Sequence, residues 1–277
     1  MSHPYLPQPA EIVERVEETA DIFTLRLRLA DADAHAAYQY LPGQFNMLYL
    51  YGVGEVPISI VSDPVDDTLL DHTVRALGRV TRGLAALGTG ERIGVRGPFG
   101  RGWPLEQARG RNILVVTGGL GCAPTVAAIR YILKRRDEYG HLTIIQGVKH
   151  SDDLLWRSAY EAWAREPDTQ VLLSADRAGP AWPWHVGVVT ELFGHARIDC
   201  ANTLCLMCGP EPMIKAAVTE LQGMGMAADA IHVSMERNMQ CALGHCGHCQ
   251  FGGHFVCRNG PVFRFSELAP LLGQRGF

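Results

Sequence analysis

No stretch of this 277-residue chain approaches the length a membrane-spanning helix requires, so no membrane span is expected. The opening residues, MSHPYLPQPAEIVERVEE, lack both a basic start and an apolar core, which argues against a secretory signal. Positive charge is also scarce. The formal net charge is −4, whereas a nucleic-acid surface needs clustered Lys and Arg, so no nucleic-acid partner is expected. The short basic cluster Lys134-Arg135-Arg136 closes a helical pattern, where cations complement the helix dipole. Repeats and low-complexity tracts are missing, and the 47% hydrophobic content is that of an ordinary globular chain. Together these absences predict a cytoplasmic, reducing compartment. There the eight cysteines are expected to serve as metal ligands, catalytic thiols or core residues rather than disulfides.

What is present falls into three parts. Residues 1–107 alternate in the manner of short strands: Glu11–Val16, Phe23–Leu29, Phe45–Leu50, Pro57–Val61, His72–Ala76 and Arg92–Val95. Turn signals such as Pro42-Gly43, Asp63-Pro64 and Asp66-Asp67 separate them, and the pattern predicts a small antiparallel β-barrel. One helical patch, Thr81–Leu87, opens on a threonine able to cap it. Residues 108–234 change character. Apolar runs at Asn112–Thr117, Leu142–Val148, Gln170–Ser174, Thr203–Met207 and Ile231–Ser234 alternate with helical patterns, including Asp153–Arg165, Val189–Phe193 and Glu211–Gln222. That alternation predicts an α/β domain around a mainly parallel sheet. Residues 235–277 hold half the cysteines and show no apolar periodicity before Phe265–Leu272, so something other than a core must order them.

The strongest chemical signal is Cys241-x4-Cys246-x2-Cys249-x7-Cys257, interleaved with Gly244, Gly247, Gly252 and Gly253. The glycines permit tight turns around four thiolates, and the order x4, x2, then a more distant cysteine is the plant-type [2Fe–2S] spacing. Structural zinc is the competing occupant, with His245, His248 and His254 as substitute ligands. A second signal, Thr117-Gly118-Gly119-Leu120-Gly121-Cys122-Ala123-Pro124, follows a buried strand and opens a helix. Glycines there let the backbone approach a pyrophosphate, and the helix N-terminus offers N–H groups to it. The third, Cys208-Gly209-Pro210-Glu211-Pro212-Met213, is a later strand-to-helix turn with prolines placed to start the helix. Cys200 and Cys205 are expected to be core residues flanking a buried strand, and packing accounts for Cys122.

In this order, these features resemble the ferredoxin–NADP reductase superfamily over nearly the whole chain. Cys246-Gly247-His248-Cys249 and Val256-Cys257-Arg258-Asn259-Gly260-Pro261-Val262-Phe263 are most similar to the diaphorase (gamma) subunits of cytosolic nickel–iron hydrogenases, or sulfhydrogenases. The electron-input subunit of anaerobic sulfite reductase and the electron-transfer subunit of dihydroorotate dehydrogenase are also similar.

The resemblance implies a flavin-binding barrel, a nucleotide-binding α/β domain and a small [2Fe–2S] segment. Pro57-Ile58-Ser59 falls where the superfamily carries an Arg-x-Tyr-Ser/Thr flavin motif. Val56 takes the Arg position and Ile58 the Tyr position, so the usual ring stack and one phosphate-neutralising charge are missing, while Ser59 keeps a hydroxyl. Gly78-Arg79-Val80-Thr81 matches the phosphate turn, and Arg75 or Arg79 is the candidate for the missing charge. Gly118, Gly119, Gly121, Ala123 and Pro124 fall on the dinucleotide turn. Cys208, Gly209, Pro210 and Met213 form the second turn, with the Cys208 thiol implied beside the nicotinamide as the catalytic-site residue. Ser174 and Arg177 fall where NADP-using members hold the adenosine 2′-phosphate, which leans the expectation to NADPH, although Asp176 pulls toward NADH.

Function follows as an expectation: FAD and a [2Fe–2S] cluster held by Cys241, Cys246, Cys249 and Cys257 pass electrons between NAD(P)H and the catalytic and iron–sulfur subunits of a redox complex. A hydrogenase is favoured as partner, with sulfite reductase and dihydroorotate dehydrogenase as alternatives. A free-standing flavin or dye reductase is the rival enzyme, and a zinc-stabilised nucleotide sensor the rival non-enzyme.

Overall fold

Alternating apolar positions at the start of the chain pair as antiparallel strands with one face inward. The computed structural model describes residues 4–65 and 68–271, so the Asp66-Asp67 turn signal and Leu272 lie outside the described residues. The chain divides into two compact units. Among the described residues, one comprises those up to Gly102 together with Met235–Val262, and the other runs from Trp103 to Ser234 and includes residues 263–271.

In the first unit, strands β1 (Gln8–Glu17), β2 (Ile22–Leu29), β3 (Phe45–Leu50), β4 (Gly54–Ser59), β5 (Leu70–Arg75) and β6 (Arg92–Phe99) form a sheet of order β4-β3-β6-β1-β2-β5. Its strands pair antiparallel, and its edge strands β4 and β5 come into contact, so the sheet curls toward a barrel. Ile12, Leu25, Leu27, Leu48, Leu84 and Ile93 fill its core. Two short helices decorate it. Helix α1 (Ala32–Ala36) is held by Asp31, which accepts from the Ala34 N–H; its five residues are too few to show a helical period in the sequence. Helix α2 (Arg79–Ala85) begins two residues earlier than expected. Gly78 is its N-cap, and Thr81 sits three residues on, its hydroxyl accepting from the Gly78 N–H at 2.9 Å.

The second unit is built on β7 (Asn112–Gly118), β8 (Leu142–His150), β9 (Thr169–Arg177), β10 (His185–Val186), β11 (Thr203–Cys208) and β12 (Ile231–Ser234). These strands run parallel in the order β10-β9-β8-β7-β11-β12. The central strands β7 and β11 are buried along nearly their whole length, because helices cover both faces of a parallel sheet. Helix α3 (Ala123–Lys134) follows β7, and α4 (Arg157–Trp163) follows β8. Helix α5 (Glu211–Gly223) follows β11 and buries Ile214, Ala217, Val218 and Leu221, one stripe at helical spacing. The helix expected over Asp153–Arg165 is shorter, because Trp156 adopts φ 52° and breaks the chain direction before α4 starts. Val189–His195 coils as a 3₁₀ helix rather than an α-helix.

The Cys-rich segment continues with the small hairpin β13 (Gln250–Phe251) and β14 (His254–Phe255), then helix α6 (Val256–Asn259). Strand β15 (Val262–Arg264) joins the edge of the parallel sheet beside β12, and helix α7 (Phe265–Leu268) follows. Within the first unit the segment is tied to the barrel: the Arg101 N–H donates to the Gly260 carbonyl, and Arg101 bridges Pro261.

Candidate functional site

Two Gly-rich turns meet at the carboxyl ends of adjacent strands in the second unit. Register pairs Cys208 on β11 with Thr117 on β7, so the turns leave the sheet side by side. Gly121 lies against Cys208, and a Cβ there would stand 2.5 Å from the Cys208 carbonyl oxygen. Gly209 is pinned between Met213 and the Gly118 N–H, 3.1 Å from where its Cβ would be. Gly119 has a different reason to be glycine: its φ is +56° and open space surrounds it. Ala123 and Pro124 begin α3, and the Pro124 carbonyl accepts from the Trp103 indole N–H at 2.7 Å. Pro210 caps α5 and Pro212 lies in its first turn. Cys208 is buried at the end of β11.

Beneath the first turn runs a network that sequence spacing does not reveal. The Thr117 hydroxyl donates to Gln146 Oε1, and Gln146 Nε2 donates to the Gly119 carbonyl at 3.0 Å. Gln146 stands 27 positions from Gly119 and is placed by the parallel pairing of β8 with β7. Only the topology brings the two together.

At the end of β9, Arg177 is exposed. Ser174 is buried, and its hydroxyl has no hydrogen-bond partner. Three positions apart on a strand, the two side chains leave opposite faces, so they do not converge on one anion.

In the first unit, Pro57, Ile58 and Ser59 end β4. The Ser59 carbonyl accepts from His72 Nδ1 at 3.0 Å. That fixes the proton on Nδ1 and leaves Nε2 to accept from Asn46 Nδ2 at 3.3 Å; Asn46 in turn accepts from the Tyr38 hydroxyl at 2.6 Å. Burial pushes the His72 ring down to about 4, so it is neutral. In the next turn the Thr81 hydroxyl accepts from the Leu77 and Gly78 N–H groups and donates to the Gly78 carbonyl. Its hydrogen-bonding capacity is used in shaping the turn. Val80 is half-buried beside Gly54, whereas Arg79 is exposed and donates to the Val53 carbonyl at 2.9 Å. Arg75 is held by Asp21 at 2.7 Å.

The four cysteines of the C-terminal segment sit on loops whose N–H groups turn toward sulfur. Leu243 and His245 donate to Cys241 Sγ at 3.4 and 3.3 Å, Gly244 donates to Cys257 Sγ at 3.2 Å, and Cys257 N–H reaches Cys249 Sγ at 3.5 Å. The wrapping requires left-handed backbone at Gly244 (φ 74°), Gly247 (φ 82°) and also Ala242 (φ 62°). Among the described residues no three His, Cys, Asp or Glu side chains converge as a single-ion site needs. Burial raises the Cys241 thiol, but the N–H groups of Leu243, His245 and Cys246 bring it below the usual thiol range. The His248 N–H is the main cause that lowers Cys246. Burial, then the neighbouring Cys249 thiol, pushes Cys257 up to about 12. Two buried and two more exposed thiols, with backbone N–H groups turned toward sulfur, are a donor set that fits an iron–sulfur cluster. Elsewhere, Cys205 is a buried core residue as expected, whereas Cys200 is half-exposed.

An antiparallel barrel followed by a parallel nucleotide-binding sheet with Gly-rich turns defines a ferredoxin–NADP reductase-like oxidoreductase, here carrying a Cys-rich appendage. Residues 115–219 match the oxidoreductase NAD-binding domain, and residues 236–269 match the iron–sulfur cluster binding domain of dihydroorotate dehydrogenase B. The chain is 33% identical to the sulfhydrogenase 1 gamma subunit of Pyrococcus furiosus, over 94% of this chain and 91% of that one. It is 32% identical to the probable dihydroorotate dehydrogenase B electron transfer subunit of Thermococcus kodakarensis, over 84% of this chain and 89% of that one. A solved NADH-dependent reduced ferredoxin–NADP oxidoreductase superposes with a TM-score of 0.73 at 24% identity, over 100% of this chain and 96% of that one, a likeness of fold. The chain belongs to the family that includes the sulfhydrogenase gamma subunits and the dihydroorotate dehydrogenase B electron transfer subunits, and it carries the iron–sulfur cluster binding domain of the latter. Among the described residues no helix is long and apolar enough to cross a membrane.

Proposed function

We propose that this chain is the diaphorase subunit of a hydrogenase-type complex, exchanging electrons between NADPH, FAD, a [2Fe–2S] cluster and a partner subunit. The observation that carries the reading is its similarity to a sulfhydrogenase gamma subunit across 94% of its length, cysteine segment included. Dihydroorotate dehydrogenase is the second reading for the partner, favoured by the match of residues 236–269.

Bound FAD supplies the exchange between two-electron and one-electron chemistry, and the cluster supplies a one-electron relay. The protein's part is binding and orientation. Gly118, Gly119, Gly121, Ala123 and Pro124 receive the dinucleotide, with Gln146 fixing the Gly119 carbonyl from below. The turn from Cys208 to Met213 lies beside it, and Cys208 would stand next to the nicotinamide. Pro57, Ile58 and Ser59 hold the flavin ring through backbone and hydroxyl contacts, on a strand end steadied by His72. The phosphate turn is Gly78–Thr81, with Thr81 shaping it. Arg79 supplies the charge that Val56 does not, since Arg75 is already engaged by Asp21. Arg177 alone reads the adenosine 2′-phosphate, because Ser174 is buried. For Cys241, Cys246, Cys249 and Cys257, the x4, x2 spacing and the match of residues 236–269 to an iron–sulfur cluster binding domain support a two-iron cluster over a single zinc. The thiolates suit a reducing, cytoplasmic compartment.

Anaerobically purified protein is expected to hold flavin and about two irons per chain, with a spin-half signal on reduction. Gentle affinity purification from its native host is expected to bring down a hydrogenase catalytic subunit. Stoichiometric zinc without iron would overturn the cluster, and a dihydroorotate dehydrogenase in the eluate would replace the partner.

A further inference from the structure

Arg96 on β6 carries one of the most deeply buried charges of the first unit, its side chain only 4% exposed. It stands on neither of the nucleotide turns, yet four groups converge on it. Its Nε and Nη2 donate to the two carboxylate oxygens of Glu55 at 2.9 and 2.7 Å, a bidentate pair. Nη1 donates to the Pro4 carbonyl at 2.7 Å. Nη1 and Nη2 together face the Cys241 carbonyl at 3.5 and 3.4 Å, and the guanidinium lies 5.4 Å from the centre of the Phe99 ring.

Glu55 and Cys241 are 186 residues apart, and each belongs to a different cofactor's surroundings in the proposed function. Glu55 lies on β4, two residues before Pro57-Ile58-Ser59. Cys241 is the first cluster cysteine. A buried ion pair is weak evidence for stability, because desolvation offsets most of its attraction. Holding two elements in register is the better-attested use of such a pair. Only arginine can serve both here: a planar fork grips the carboxylate on one edge and presents two N–H groups to a carbonyl on the other.

We infer that Arg96 is a positioning residue for electron transfer between flavin and cluster: it locks the cluster loop to the flavin-bearing strand and raises the cluster's reduction potential. The second effect follows from charge. The guanidinium edge toward Cys241 is positive, Glu55 lies on another edge, and the Arg96 side chain is only 4% exposed. A reduced cluster carries one more negative charge than an oxidised one, so a fixed cation beside its first ligand favours reduction. Glu55 tempers that field. The inference rests on the cluster and flavin assignments proposed above.

The test is a redox titration of the holoprotein, following the reduced-cluster spin signal, in the wild type and in Arg96→Met, Arg96→Lys and Glu55→Gln. Arg96→Met is expected to make the cluster about tenfold harder to reduce, which for a one-electron couple is about 59 mV. Glu55→Gln, which leaves the cation uncompensated, is expected to shift the potential the opposite way. Arg96→Lys keeps a charge but not the fork, so its potential stays nearer wild type while flavin-to-cluster transfer in stopped flow slows. Opposite shifts from the two halves of one pair are not expected of a brace that only holds the fold. Potentials unchanged in both Arg96→Met and Glu55→Gln, with iron retained, would overturn the inference alone. A wild-type protein without iron would overturn the proposed function instead.

Discussion

Gly121 is the position where the packing of the two nucleotide turns can be tested with one carbon atom. A Cβ there would lie 2.5 Å from the Cys208 carbonyl oxygen, 2.7 Å from its carbon and 2.9 Å from the Gly209 Cα. All three are backbone atoms at the end of β11, which six paired residues join to β7, so they cannot swing aside as a side-chain tip would. Ordinary contact begins near 3.5 Å, and the turn must therefore retreat by about 1 Å. Overpacking of this kind costs about 1–3 kcal/mol of stability. A displacement of about 1 Å at a positioning element costs on the order of 10²-fold in rate. Gly121→Ala is thus expected to lower kcat/KM for NAD(P)H-driven reduction of a small two-electron dye by about 10²-fold, with a Tm several degrees lower. Gly119→Ala is the internal comparison. No atom lies within 4 Å of its Cβ, so only the left-handed backbone is penalised, by about 1–2 kcal/mol, and the rate should fall less. Wild-type kcat/KM and Tm in Gly121→Ala would refute the apposition of the two turns.

Arg177→Ala is expected to weaken NADPH by about tenfold or more while NADH changes little, as steady-state KM values would read; equal losses would remove the 2′-phosphate assignment. Cys249→Ser should keep dye reduction at the flavin while reduction of the partner collapses, provided flavin content and the melting curve are retained. Partner reduction at near wild-type rate would make the cluster structural. His72 is held near 4 in the fold, while an unfolded histidine titrates near 6.5, so the unfolded chain takes up the proton first as pH falls. Its contribution is therefore present above pH 6.5 and declines toward pH 4, by roughly 2 kcal/mol between pH 7 and pH 5. Denaturant titrations should show the wild type losing about that much more stability than His72→Gln over that interval, and parallel pH curves would show that His72 does not carry it.

Much of the architecture was legible because each element announces itself locally. Phe45–Leu50 and Ile231–Ser234 are strands with the bounds their alternation and apolar runs suggest, and the stripe of α5 reads directly from Ile214, Ala217, Val218 and Leu221. Errors gathered where a single backbone angle or a cap decides. Trp156 in the left-handed region shortens α4, and Thr81 caps α2 from inside its first turn, so the helix starts two residues earlier. Residues that act across strands were invisible for a different reason. Gln146 reaches Gly119, and His72 reaches Ser59, through neighbours fixed by sheet order, and sheet order is not written in local periodicity.

The cysteine segment shows the same division most sharply. Spacing names its four candidate ligands, because four thiolates and their glycine turns are a local geometric requirement. Spacing does not say what the finished loop rests on. That depends on Arg96, 145 positions earlier, whose guanidinium reaches the Cys241 carbonyl, and on Tyr5, whose hydroxyl meets His245 at 2.6 Å. Neither partner carries a motif, since a carbonyl and an exposed imidazole can be met by many donors. A short segment with little core of its own takes its order from what it ligates and from the surface beneath it. In this chain that surface is the barrel strand β6, so the cysteine segment and strand β4 share Arg96 as a common support.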